Sequence, residues 1–406
     1  MTARSTVRST RQIGQLLLVG CDGAEMTSRL ASLLTRIQPG GVILFARNIK
    51  NPQQTWRLLR DCQECVRTRL LTSIDLEGGS VDRLRHVLGP TPSAAEVFRT
   101  RDRGLFRKHG ETIGNNCRAL GFNVDFAPVV DLAFPASRQV MATRVVSANP
   151  RAVTAYAREF LAGLRRAKIL GCGKHFPGLG EGALDSHQKL PVIDKALKKL
   201  AAEDLVPYCE LAKQMPMVMV AHAAFPQVTG DLTPASLSPV WISEILRRRL
   251  GFKNLIVSDD LEMGGVLANA TVEEAAVGHI YAGGDLCLVC HREENVVLAY
   301  EGLMRTAERD ARFDRAAAEA TGRVLAFKRK WARLLAPAKA PSEAVVRKLA
   351  RKLWEFSEQV RLEALARREI SEPAPVQKAG RRRRPPEEER QKKSVRRRPP
   401  EYDRQL

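Results

Sequence analysis

Apolar residues in this chain come in short unbroken runs. QLLLVG (15–20), GVILF (41–45), TSIDL (72–76), NVDFAPVV (123–130), ILGCGKHF (169–176), MVMVAH (217–222), NLIVSDD (254–260) and DLCLVC (285–290) all have strand length. Unbroken apolar strands belong to a sheet covered on both faces, as in parallel α/β architectures. Between them lie segments of helical periodicity. In Asn149–Leu164 the alanines, leucines and Phe160 recur at helical spacing behind an asparagine–proline start. Eight such strands alternating with helices predict an α/β fold, a (β/α)8 barrel. The polar residues agree. Asp75, Lys174 with His175, His222 and Asp259 each stand at or near the C-terminal end of a predicted strand, the rim from which a barrel builds its site. A doubly wound sheet would gather them at one switch point instead.

The pattern changes after Leu335. APAKAPSEAVV reads as a proline-punctuated linker, and 346–370 as a long amphipathic helix with Leu349, Leu353, Phe356 and Val360 near one stripe that Ala364 extends. Residues 373–406 carry 12 Lys/Arg against 5 Asp/Glu and almost no apolar residue, a composition expected to stay disordered. The chain is therefore divided into a barrel (1–335), a linker and helix (336–372) and a basic tail (373–406). The formal net charge is +21, which points to a polyanionic partner. The tail supplies a third of that charge, so this signal is separable from the barrel. With no aromatic beyond Tyr402, the tail is expected to bind nucleic acid or an anionic polymer only weakly, by electrostatics. The apolar run LLLVG near the N-terminus falls short of the roughly 7–15 residues of a secretory signal. No run approaches the ~18 residues of a membrane helix. Eight cysteines scattered through apolar surroundings fit free thiols in a reducing, cytoplasmic setting.

Cys62-x-x-Cys65 and Cys287-x-x-Cys290 have zinc-ligand spacing, but one pair lies in a helical stretch and the other in a strand, where side chains alternate faces. CLVCH (287–291) matches a haem-attachment pattern, yet reads as a buried strand. No metal or cofactor is expected. In SDDLEMGG (258–265) two carboxylates leave a strand end. They either cap the next helix or present an anionic nucleophile suited to an anomeric carbon. Asp75 in IDLEGG is placed alike. In GKHFPGLGEGALDSH, Lys174 and His175 end a strand and an irregular Gly/Pro loop follows. Asp185 and His187 lie two apart, so the carboxylate can accept the imidazole N–H and raise its pKa. Turn polarity is the plain alternative for that pair.

Taken in order, IDLEGGSVDRLR, NVDFAPVVDLA, GKHFPGLGEGALDSH, MVMVAHAAFP, TPASLSP and GFKNLIVSDDLEMGGV resemble the glycoside hydrolase family 3 barrel over about residues 12–325. Within it the closest resemblance is to bacterial β-N-acetylglucosaminidases of cell-wall recycling. The resemblance implies a retaining exo-hydrolase of terminal β-linked N-acetylglucosamine, acting on peptidoglycan fragments. It implies Asp259 as nucleophile, His187 as acid/base and Asp185 as the group orienting His187. Asp75, Arg83, Lys174 and His175 would hold sugar hydroxyls, and Arg144 would lie near the acetamido group. Asp131, His222 and Met263 fill supporting motif positions. The chain departs from the family pattern at Leu76 (usually Gln), Ser80 (usually Arg), RVVS after Thr143 (usually RSFG) and Leu179 (usually His). These departures bear on substrate detail and leave every implied catalytic group in place. Other family 3 β-glycosidase activity and phosphorolysis are the neighbouring readings. A polyanion-binding protein acting through its tail is the reading from another class.

Overall fold

The computed structural model describes residues 12–182, 189–268 and 270–371. The predicted strands form, as β1 (Leu17–Gly20), β2 (Gly41–Leu44), β3 (Leu71–Ile74), β4 (Val124–Asp125), β5 (Leu170–Phe176), β6 (Met217–Val220), β7 (Leu255–Asp260) and β8 (Leu286–Val289). They pair in sequence order, all parallel, and β8 closes on β1 to complete an eight-stranded barrel. The architecture is the (β/α)8 barrel expected from the sequence. Strand alternation persists inside the apolar runs. Leu18 and Ile43 point into the barrel with Leu71, Phe126, Met217 and Leu255, while Leu17, Val19, Val42 and Leu44 face the helices. β4 is regular only over Val124–Asp125, shorter than NVDFAPVV suggested; beyond it the run stays bonded to β5 irregularly, through the carbonyls of Ala127 and Pro128 and the amide of Val130.

The helices start where the sequence provides caps. Asn149 accepts from the amides of Arg151 and Ala152 and Pro150 opens Pro150–Arg166. Ser93 with Glu96, and Thr271 with Glu274, form reciprocal capping boxes. The helix Ala311–Lys330 closes the bottom of the barrel with Val324 and Phe327. Beside them Lys328 is buried, donating to Gln15 Oε1 at 2.7 Å, and burial pulls its ammonium down to about 7.

The stretch read as a linker is fastened to the barrel. Trp56 donates its indole N–H to the Ala338 carbonyl at 2.9 Å, and Arg118 donates to the carbonyls of Leu334 and Ala336. The last helix runs Glu343–Ser371 and buries Leu353, Phe356 and Val360 in the outer core. Phe356 stacks on buried His109 with centroids 5.8 Å apart. No helix among the described residues is long and apolar enough to cross a membrane. The basic tail lies outside the described residues.

Candidate active site

Among the described residues the C-terminal rim of the barrel carries a polar cavity, lined by side chains from seven of the eight strands, β2 to β8, or from the segments that follow them. β3 leads into Asp75 and then a tight antiparallel hairpin, Leu76–Gly78 with Val81–Asp82. Gly78 and Gly79 turn it at φ 84° and 61°, and a Cβ on Gly78 would lie 2.1 Å from the Pro92 carbonyl oxygen. The hairpin is anchored from below, where Leu76 donates its N–H to Asp125 at 3.0 Å. Glu77, Val81 and Arg83 thereby face the cavity.

β5 ends in Lys174 and His175, joined by a cis peptide. The Lys174 ammonium is 2.7 Å from Asp75 Oδ1 and 2.7 Å from Glu77 Oε1. Arg144 grips Glu77 through two bonds of 2.8 Å, one to each carboxylate oxygen. Burial alone would raise the Glu77 carboxyl, but Arg144 and Lys174 outweigh it and hold it well below the usual carboxylate range. Burial likewise disfavours the charge on Lys174, and Asp75 and Glu77 reverse that to raise its pKa. His175 Nδ1 donates to Asp131 at 2.7 Å, which leaves Nε2 as the acceptor facing Arg144 Nη2 at 3.4 Å. Asp131 also accepts from the amides of His175 and Leu179.

β7 brings Asp259 and Asp260 to the same cavity. The Asp260 N–H donates to Asp259 Oδ1 at 2.9 Å. Below them His222 is buried, which lowers its pKa and keeps the ring neutral, so Nε2–H donates to the Asp260 carbonyl at 2.9 Å and Nδ1 accepts from Ser236 at 2.7 Å. Arg83 Nε is buried without a hydrogen-bond partner among the described residues, a donor free to meet a bound molecule.

Of the residues singled out from sequence, Asp75, Arg83, Arg144, Lys174, His175 and Asp259 meet around this one cavity. Asp185 and His187 lie outside the described residues. Met263 lines the cavity and Asp131 and His222 support it, as motif position suggested. Leu179 lines the wall and is nearly buried. Glu77, Phe45 and His291 were not singled out as site residues, and Asp260 only as one of the two carboxylates that end its strand. The signal for Glu77 is its place two residues past Asp75, the period that returns an extended chain to the same face. His291 follows the eighth strand directly and so meets the rim rule already applied to Asp75 and Asp259. Among the described residues no three His, Cys, Asp or Glu side chains group as metal ligands. Cys287 and Cys290 are buried within the barrel wall.

This arrangement suits a ring bearing many hydroxyls: fixed donors and acceptors in ion-paired sets, with a carboxylate at a strand tip. A model of the glycosyl hydrolase family 3 N-terminal domain matches residues 9–326. A beta-hexosaminidase of Idiomarina loihiensis is 33% identical over 285 residues, spanning 69% of this chain and 85% of that protein. The glycoside hydrolase family 3 beta-N-acetylglucosaminidase from Paenibacillus sp. str. FPU-7 superposes with a TM-score of 0.80 at 32% identity, covering 86% of this chain and 68% of that one. NagZ from Neisseria gonorrhoeae has a TM-score of 0.65 at 28% identity, covering 76% of this chain and 97% of that one.

Proposed function

Since the chain belongs to glycosyl hydrolase family 3, we propose that it is an exo-acting β-N-acetylglucosaminidase that cleaves with retention of configuration. The observation that carries this reading is the single cavity in which Asp259 faces the linked set Asp75–Lys174–Glu77–Arg144–His175. Asp75, Lys174 and His175 hold ring hydroxyls, Arg83 offers its unpaired Nε–H, and Arg144 stands at the acetamido side. Asp259 attacks the anomeric carbon and forms a glycosyl-enzyme. His187, oriented by Asp185, protonates the leaving oxygen and then activates water; these two roles rest on the motif alone. A neutral imidazole in place of a second carboxylate avoids repulsion with Asp259. The substrates are fragments of peptidoglycan, as the sequence resemblance implies, met in the cytoplasm, a setting that eight free cysteines fit.

The test is a kinetic panel of p-nitrophenyl β-glycosides that differ only at C2, with and without phosphate. The acetamido sugar is expected to be the best substrate, Asp259→Ala to abolish turnover and His187→Ala to slow it about 10²- to 10⁴-fold. A preference for the glucoside, or release of a sugar phosphate as main product, overturns the reading.

A further inference from the structure

We propose that His291 is a positioning residue for the nucleophile, the middle of a relay that runs from Arg47 through His291 and Asp260 to Asp259. Its importance for turnover rests on the reading of Asp259 given above. The geometry is continuous. Arg47 Nη1 lies 3.4 Å from His291 Nδ1, His291 Nε2 lies 3.1 Å from Asp260 Oδ2, and the Asp260 N–H donates to Asp259 Oδ1 at 2.9 Å. One assignment of hydrogens satisfies every contact. Arginine only donates, so Nδ1 accepts and Nε2 carries the proton that goes to Asp260.

The relay is held at each link. Arg47 also donates to the Cys290 carbonyl at 2.6 Å and its guanidinium lies 4.7 Å from the Phe45 ring. His291 stacks on Phe45 as well, with ring centroids 5.5 Å apart and planes tilted by 26°. Glu262 accepts from the His291 amide, and the second Asp260 oxygen accepts from the amides of Glu262 and Cys290. Asp260 therefore has no freedom to swing toward the cavity, and its amide stays aimed at Asp259. The charged groups facing His291 are Arg47 from the turn after β2, Asp260 at the end of β7 and Glu262 just beyond it.

The role is distinguishable from sugar binding. His291→Leu removes the donor to Asp260, and the position tolerates it because the side chain is 53% exposed. With p-nitrophenyl N-acetyl-β-glucosaminide we expect kcat to fall about 10- to 100-fold, the scale of a small misplacement of a reacting group, with KM within about twofold. His291→Gln, which keeps a donor for Asp260 and an acceptor for Arg47, restores most of kcat. Independently, ¹⁵N NMR of the full chain at alkaline pH, where imidazole is neutral, should show His291 as the Nε2–H tautomer, and Arg47→Met should shift its Nδ1 resonance. An Nδ1–H tautomer, an unchanged kcat in His291→Leu, or a loss that glutamine fails to rescue overturns the relay. Absence of activity in the unaltered chain contradicts the proposed function instead, and the tautomer still decides the relay.

Discussion

Glu77 shows how one buried carboxylate sets the electrostatics of the cavity. It shares two cations, Lys174 and Arg144, and is 3% exposed. Replacing it by glutamine keeps the shape and leaves two buried cations short of a counter-charge. Glu77→Gln should cost about 3–5 kcal/mol of stability, the usual penalty for breaking a buried ion pair from one side, read by chemical denaturation, and should reduce turnover as well. Because its pKa is depressed in the folded state, the stabilisation is complete above the unfolded carboxylate value and fades as pH falls below it. Denaturation midpoints of the unaltered chain should therefore drop in acid more steeply than those of Glu77→Gln. Lys328 presents the opposite case. Burial holds its ammonium at about 7 against an ordinary value of 10.5, so its contribution to stability improves as pH rises from about 7 toward 10. Lys328→Met should raise the melting temperature at neutral pH, since Gln15 keeps the Thr68 hydroxyl as a donor; a lowered one would show that the lysine is stabilising.

At the scale of elements, the strands were legible because eight apolar runs of strand length recur between helical segments, and seven of the eight strands fill most of their predicted range. β4 is the exception, regular only over Val124–Asp125, with the rest of its run bonded to β5 irregularly around Pro128. The helix Pro150–Arg166 was legible from its cap, and the stripe Leu353, Phe356, Val360 marked the buried face of the last helix. What the stripe did not reveal is the partner. Periodicity gives a face and not what covers it, so the contact of Phe356 with His109, distant in sequence, appears only in three dimensions. The same holds for the docked segment near Ala338, whose prolines suggested a tether. Phe356→Ala should destabilise the fold by about 3–5 kcal/mol, measured by urea denaturation; a change below about 1 kcal/mol would mean that this helix packs independently of the barrel. Likewise the cavity's ion pairs were half legible. Strand-tip logic found Asp75, Lys174 and Asp259, while Glu77 and Arg144 meet only because the hairpin folds back over the rim.

For the whole molecule, the barrel confines the chemistry to one rim and leaves the net charge of +21 spread over the surface and the tail. Deleting residues 373–406 should leave kcat/KM on the aryl substrate within about twofold and remove the most salt-sensitive part of binding to a polyanion column. Equal loss of both would tie the tail to the site. The role of Asp259 as nucleophile is decided by trapping. Incubation with 5-fluoro-N-acetyl-β-glucosaminyl fluoride slows breakdown of a glycosyl-enzyme, and peptide mass spectrometry then locates the sugar. One adduct per chain is expected, on the peptide containing Asp259 and absent in Asp259→Ala. An adduct on any other residue, or turnover of the reagent with no covalent species at all, would contradict it.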